Sequence, residues 1–595
     1  MDIFGVLTMI GGLALFLYGM DTMGQGLEKL SGGRLERLLE KLTSNPFKAV
    51  ALGCAVTAVI QSSSATTVMV VGFVNSGIMK LQQAVGIIMG ANIGTTVTSW
   101  LLSLTGIESG NFLVKMLKPS SFSPILAMIG IIFIMFLKSE KKKDIGTILI
   151  GFAVLMTGMD TMSAAVKPLA DVPEFTNILT MFSNPILGLI AGAILTAVIQ
   201  SSSASVGILQ ALCATGAVNF SSAIPIIMGQ NIGTCVTAML SGIGASKNAR
   251  RAALVHLYFN LIGTTVFMIG FYAINAVVNF EFLNGPANAM GIAVVHSVFN
   301  VVATTVLLPF SGLLVKLAYM TIKDTEEKVE KTAEQRAFRL LDPRFLETPG
   351  YAVEQCKQTA VEMAKLAKES LFVSMELLQK YDEKTANRVV ELEDLVDRYE
   401  DELGSYMVKL SNQHLSKGDN HTISLLLHCI GDFERISDHS MNLMSAAKEM
   451  HDKEMSFSDE AKRELDTFAN AVREILDLSI GSFERNNIKQ ASLVEPLEEV
   501  IDDLNTIVKA NHIKRLQKGV CTIEQGFVLS DISTNLERVS DHCSNIAISV
   551  IEIDRDGFDA HGYLENLKKE NDPHFTALVE SYRRKYELYV PIGEE

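Results

Sequence analysis

The sequence predicts an all-α fold in two parts. A polytopic membrane domain with inverted repeats and re-entrant helical hairpins comes first, and a soluble helical domain of two three-helix bundles follows. Three observations predict this. Charge is unevenly divided: residues 1–320 hold 12 acidic and 17 basic residues of the chain's 66 and 51, and residues 321–595 hold the other 54 and 34. The first part contains long uncharged runs, the longest being the 72 residues from Phe175 to Ser246. Soluble folds do not sustain such runs, whereas membrane spans of about 20 apolar residues do. Finally, shifting the chain by 139 residues lays the first part on itself.

That offset is constant. "GMDTM" at 19–23 meets "GMDTM" at 158–162, "SNP" at 44–46 meets "SNP" at 183–185, and "QSSS" at 61–64 meets "QSSS" at 200–203. "NIGT" at 92–95 meets "NIGT" at 231–234. An ungapped offset of this kind marks an internal duplication, with copies over about 3–137 and 145–279.

The elements follow in chain order. Residues 3–22 form the first span, and with no basic region ahead of it this run reads as a retained span rather than a cleaved signal. Residues 49–79 are 31 uncharged residues. As one helix they would run about 46 Å, too long for a core of about 30 Å, and two spans would need about 40 residues. A helix broken at Gln61–Ser64 enters and leaves on the same side as a re-entrant hairpin. Residues 81–105 and 122–137 are the second and third spans. Three spans separate the two copies, so the second copy is inverted. Span 222–243 then precedes two more, at 252–279 and 287–320.

Positive charge supports this topology. Lys29, Arg34, Arg37, Lys41 and Lys48, then Lys138 and Lys141–Lys143, then Lys247, Arg250 and Arg251 all fall on one side, the cytoplasm. Lys115 and Lys118 are exceptions. The predicted location is the cell membrane, multi-pass, with the acidic second part cytoplasmic. Its cysteines show no CxxC spacing and read as free thiols of a reducing compartment. The absence of a basic patch argues against nucleic acid as a partner.

The two hairpin tips meet near the midplane, where broken helices are tolerated if they line a cavity. They offer Gln61, Ser62, Ser63, Ser64, Thr66 and Thr67, and Gln200, Ser201, Ser202, Ser203 and Ser205. Half-helix N-termini suit an oxyanion, and hydroxyl and carbonyl oxygens suit a hard cation such as Na⁺. The competing reading is close helix packing by small residues. The "NIGT" pairs, Asn92 with Thr95 and Asn231 with Thr234, are candidates for the same site or for interhelical hydrogen bonds. "HLYFNLIGTTV" at 256–266 is echoed by "HSVFNVVATTV" at 296–306. Its His256 and His296 are read as neutral groups bonding neighbouring helices, with a proton relay as the alternative. Asp21 and Asp160 are read as interfacial helix-end residues.

The soluble part also repeats. "FERISDHSMN" at 433–442 is matched by "LERVSDHCSN" at 536–545. Glu434 and Asp438, and Glu537 and Asp541, lie at i, i+4. The middle helices add Glu393 with Asp397 and Glu498 with Asp502. Such carboxylates on facing helices build oxygen-rich metal sites, and a solvated face paired with Arg435 and Arg538 is the alternative. No nucleophile–base set accompanies them, so an enzyme is not expected.

With these residues in view, the paired "QSSS" motifs, the "NIGT" pair and the inverted repeat over residues 1–320 resemble the type II sodium-dependent phosphate cotransporter family. Residues 350–552 look like a PhoU domain, with 321–349 as linker and 553–595 as a C-terminal tail or helix. The combination is similar to bacterial members that fuse the two. Animal relatives carry a long extracellular loop where this chain has the short basic 138–144 connection, and they lack the PhoU part. The resemblance implies Na⁺-coupled transport of inorganic phosphate by alternating access, with phosphate and Na⁺ at Gln61–Ser64 and Gln200–Ser203. It implies a regulatory PhoU part holding a divalent or iron-type metal. Expected partners are phosphate, sodium ions and the lipid membrane, with a second copy of the chain or cytoplasmic signalling proteins as further candidates. A membrane-anchored phosphate sensor, or a transporter of another oxyanion, is the alternative.

Overall fold

The computed structural model describes residues 3–31, 45–106, 118–323, 338–553 and 573–588. Apart from turns and one isolated bridge between Asn219 and Pro286, the described elements are helices. They form two compact units, Met1–Ala352 with Gln413–Ser416, and Val353–Asn412 with Lys417–Glu595.

In the first unit, six helices are long and apolar enough to cross a membrane: Ile3–Leu30, Leu81–Ser103, Glu140–Leu169, Phe220–Ser241, Lys247–Val278 and Ala289–Thr321. The third span is a shorter helix, Pro119–Phe136. Arg34, Arg37, Lys41 and Lys115 of the charge pattern lie outside the described residues.

The two hairpin stretches break as their sequences direct. "SNP" starts each first arm: Asn45 Oδ1 accepts from Phe47 N at 2.9 Å and Asn184 Oδ1 from Ile186 N at 3.0 Å, with Pro46 and Pro185 next. An Asn cap followed by Pro is a strong helix start, because Pro has no N–H to leave unbonded and its φ is already helical. First arms Pro46–Ile60 and Pro185–Ile199 end at Gln61 and Gln200, which are left-handed at φ 61° and 58°. Second arms Ser63–Ser76 and Ser202–Cys213 restart at once.

Each first arm lies on the "NIGT" helix of its own copy. A Cβ at Gly90 would come 2.0 Å from Val50 O, and one at Gly229 would come 1.9 Å from Leu189 O. Only glycine permits backbones this close, and such contact is how membrane helices associate without a hydrophobic drive.

Residues 338–352, on the first unit's side of the division, pack on the second arm of hairpin one. Phe345 and Tyr351, both fully buried, pack on Phe73 with ring centroids at 5.5 and 5.0 Å, the first tilted and the second edge-on. Asn75 Nδ2 donates to Asp342 Oδ2 at 2.5 Å, Arg344 Nη1 pairs with Asp342 at 2.8 Å, and Arg344 Nε donates to Ser241 O at 2.7 Å.

The second unit is two sets of three helices. Pro349–Gln379 (from Val353 on), Glu383–Ser411 and Lys417–Asp452 form one; Asp459–Arg485, Val494–Gln517 and Ile523–Ile553 form the other. Their last helices meet in a seam with internal symmetry. His439 hydrogen-bonds Asn535 at 2.7 Å, and His542 pairs with Asp432 at 2.9 Å. A further helix, Pro573–Lys585, is held by Arg583 to Asp503 at 2.9 Å and by Lys585 to Glu474 at 2.7 Å.

Candidate functional site

The left-handed Gln61 and Gln200 turn the chain so that two helix starts follow directly. Ser62 Oγ accepts from Ala65 N at 3.1 Å, and Ser201 Oγ accepts from Ala204 N at 3.2 Å. These hydroxyls therefore cap the second arms, while their O–H groups can still donate outward. A non-glycine residue at positive φ is uncommon, and a matched pair at the midpoints of two broken helices marks a place where geometry is imposed for a purpose.

Both tips line one cavity of about 210 Å³. Its wall takes Gln61, Ser62, Ser63 and Ser64 from one copy and Gln200, Ser201, Ser202 and Ser203 from the other. The structure thus brings together the two stretches the sequence singled out, 139 residues apart. Thr66 and Thr67 lie behind the tip, donating to Ser62 O at 3.0 Å and Ser63 O at 2.8 Å.

The cavity also includes Asp21, Gln25 and Glu28 of the first helix. The sequence reading had assigned Asp21 to the membrane interface and passed over the other two. Hydropathy ends the span at residue 22, at the first charge, whereas the helix continues to Ser31 and carries this face alongside the tips. The i, i+4, i+7 spacing of the three was the signal that could have found them. Asp160 is not part of the wall.

The "NIGT" residues are placed elsewhere. Asn92 Nδ2 donates to Asn260 Oδ1 at 3.3 Å, and Asn231 Nδ2 to Asn300 Oδ1 at 2.7 Å. Thr95 and Thr234 hydroxyls donate to Ala91 O and Asn231 O. All four are buried, and none lines the tip cavity. His296 bonds Ser99 Oγ at 2.7 Å and Asn231 Oδ1 at 3.2 Å, bridging neighbouring helices. The two "HxxxN" echoes thus supply the partners of the two "NIGT" asparagines.

In the second unit, oxygens of Glu498, Asp502 and Asp541 lie within 4.8 Å of one another, a spacing that fits a hard cation. Glu537 stands beside Asp541, its carboxyl pushed up by burial and then by that neighbour's charge. In the other set, burial and then the charges of Asp438, Glu400 and Asp397 push Glu434 up to about 7. Burial and then Asp394, Asp438 and Asp397 raise Glu393. Half-buried, crowded carboxylates of this kind hold their charge less readily, and a bound cation would relieve that crowding. Asn442 and Asn545 turn away from these carboxylates and bond across the seam to Asn535 and Asp432.

Known proteins resemble this chain in both of its parts. The model of the Na⁺/Pi-cotransporter family matches residues 15–164 and 156–285, and the model of the PhoU domain matches residues 360–447 and 465–550. YjbB of Salmonella typhimurium, named as an inorganic phosphate export protein, is 24% identical over 553 residues, 92% of this chain and 97% of that protein. Sodium-dependent phosphate transport protein 2A of Rattus norvegicus is 37% identical over 99 residues, 16% of this chain and 15% of that one. A solved structure, PhoU from Pseudomonas aeruginosa, is 19% identical, covering 34% of this chain and 98% of that one with a TM-score of 0.33.

Proposed function

We propose that this chain, whose residues 15–285 match the Na⁺/Pi-cotransporter family model and whose residues 360–447 and 465–550 match the PhoU model, is a sodium-coupled transporter of inorganic phosphate working by alternating access. The PhoU part is cytoplasmic and sets the transport rate. The observation that carries the reading is the single cavity shared by two inverted, broken-helix tips. Such tips at a repeat interface are the binding geometry of secondary transporters. Phosphate lies against the starts of Ser63–Ser76 and Ser202–Cys213, where amide N–H groups and Ser62 and Ser201 hydroxyls supply donors without a fixed positive charge. The "NIGT" asparagines fasten the helices behind the tips. In the PhoU part the carboxylates of both sets, Glu498, Asp502, Glu537 and Asp541 and Glu393, Asp397, Glu434 and Asp438, hold metal.

The relatives matching most of the chain are named as phosphate export proteins, and outward net flux through a Na⁺-coupled carrier requires a phosphate gradient steep enough to outweigh the inward Na⁺ gradient. Ion-replacement flux in reconstituted vesicles tests the whole reading. Phosphate movement driven by a Na⁺ gradient, and blunted by Ser62→Ala or Ser201→Ala, is expected. Flux indifferent to both Na⁺ and H⁺, or unchanged in both variants, would refute it.

A further inference from the structure

The tip cavity poses an electrostatic problem. Its wall holds two carboxylates, Asp21 and Glu28, and among the described residues no Lys or Arg lines it. An anion entering such a space is repelled at short range, by exposed Asp21 and half-buried Glu28 alike. Helix starts at Ser62 and Ser201 offset part of it. The remainder needs a cation.

The same wall supplies a place for one. Asp21, Gln25 and Glu28 occupy one face of the first helix, and Gln25 Nε2 donates to Asp21 Oδ2 at 2.7 Å. That face abuts the end of the first arm: a Cβ at Gly24 would sit 3.4 Å from Ile60 O. Ile60 is the last residue before the break, where the carbonyls of a helix end carry partial negative charge and have no further turn to bond. Carboxylate and carbonyl oxygens together suit a small hard cation, and half-helix C-terminal ends serve as Na⁺ ligands in transporters of this geometry. The mates of Asp21 and Glu28 at the 139-residue offset are Asp160 and Lys167, so the second copy does not reproduce the pair.

We propose that Asp21 and Glu28, with the Ile60 carbonyl end, hold the coupling Na⁺, and that this ion is what allows phosphate into a cavity otherwise closed to anions by its own charge. The proposal rests on the transporter reading and adds which residues do the coupling. One Na⁺ cancels one of the two carboxylate charges and, with the two helix starts, leaves the wall close to neutral, so neither ion binds as well without the other.

The test is Na⁺-dependent phosphate uptake by the full-length protein in vesicles, with choline replacing Na⁺. Asp21→Asn and Glu28→Gln should each raise the half-saturating Na⁺ concentration at least tenfold, with Asp21→Glu restoring most of the shift. Amide-for-acid changes keep shape, and equal insertion and melting temperature check that folding is intact. Should either amide variant fail to fold, the charge-conserving Glu28→Asp is measured in its place and should still move the Na⁺ curve. A parent that shows Na⁺-driven uptake while its folded variants retain the parent's Na⁺ curve overturns this assignment alone. A parent with no Na⁺-driven uptake overturns the transporter reading itself.

Discussion

The two hairpin tips share "TAVIQSSSA" and yet are bonded differently. In the first, Gln61 is buried, Thr98 Oγ1 donates to its Oε1 at 2.9 Å, and Thr57 bonds Thr66 at 3.1 Å. In the second, Gln200 is exposed. There the corresponding hydroxyls of Thr196, Ser205 and Thr237 are buried with no hydrogen-bond partner among the described residues. The second arm of hairpin one is also strapped by Asp342, Arg344 and Phe345, at Gly72, Phe73 and Asn75. Ala211, Leu212 and Ala214 stand at the matching positions of hairpin two. The polar side chains around the first tip are bonded and the matching ones around the second are not, although local sequence bends both alike. The proposed alternating access needs such an inequality, since a transporter whose two halves were equally closed would have no side to open.

The largest expected effect comes from cutting the strap. Arg344→Ala removes the guanidinium that neutralises Asp342, which is 4% exposed. Removing one partner of a buried pair costs about 3 kcal/mol or more. Amide exchange across Val70–Ser76 should accelerate about 100-fold on that basis, while Val206–Cys213 stays protected as before. Equal acceleration in both arms would erase the inequality.

A second effect separates the tips themselves. Gln61→Ala strands the Thr98 hydroxyl in a buried site and should cost about 1–3 kcal/mol, seen as a lower melting temperature in detergent. Gln200→Ala breaks no such bond and should cost less than about 1 kcal/mol. Matching shifts would mean that Gln200 is closed in solution as Gln61 is.

The PhoU part repeats the lesson with charge. Its second set brings Glu498, Asp502 and Asp541 within 4.8 Å, whereas the first set forms no group that tight among the described residues. Metal content measured after purification without chelator should fall more in Asp502→Asn and Asp541→Asn than in Asp397→Asn and Asp438→Asn. Equal losses would make the two sets equivalent.

The smallest effect is a pH dependence. Glu434 has a folded pKa of about 7 against an ordinary 4.5. The folded state therefore keeps a proton that the unfolded state releases between those values. Its contribution is fully present at low pH and is lost as pH rises through about 7. Metal-free protein should lose stability over that window, and Glu434→Gln or added divalent metal should flatten the curve. Stability that rises across the window in the metal-free parent would contradict the burial assigned to Glu434.

Much of this protein was legible without coordinates, because its determinants are local. Twenty-residue apolar runs, an uncharged stretch of the wrong length for one span or two, and a constant 139-residue offset can all be read along the chain. They set the spans, the breaks at Gln61 and Gln200 and the pairing of the copies. Isologous "SDH" segments likewise announced two helical sets. What only tertiary structure decided is where side chains of different helices meet. Asn92 and Asn231 could equally have faced a ligand; packing turned them to Asn260 and Asn300. Asp21 looked interfacial because charge ends a hydropathy window, and only the helix running on to Ser31 brings Asp21, Gln25 and Glu28 to the tips. Identical tip sequences came to be bonded differently because their partners lie far along the chain, and periodicity carries no information about such distant contacts.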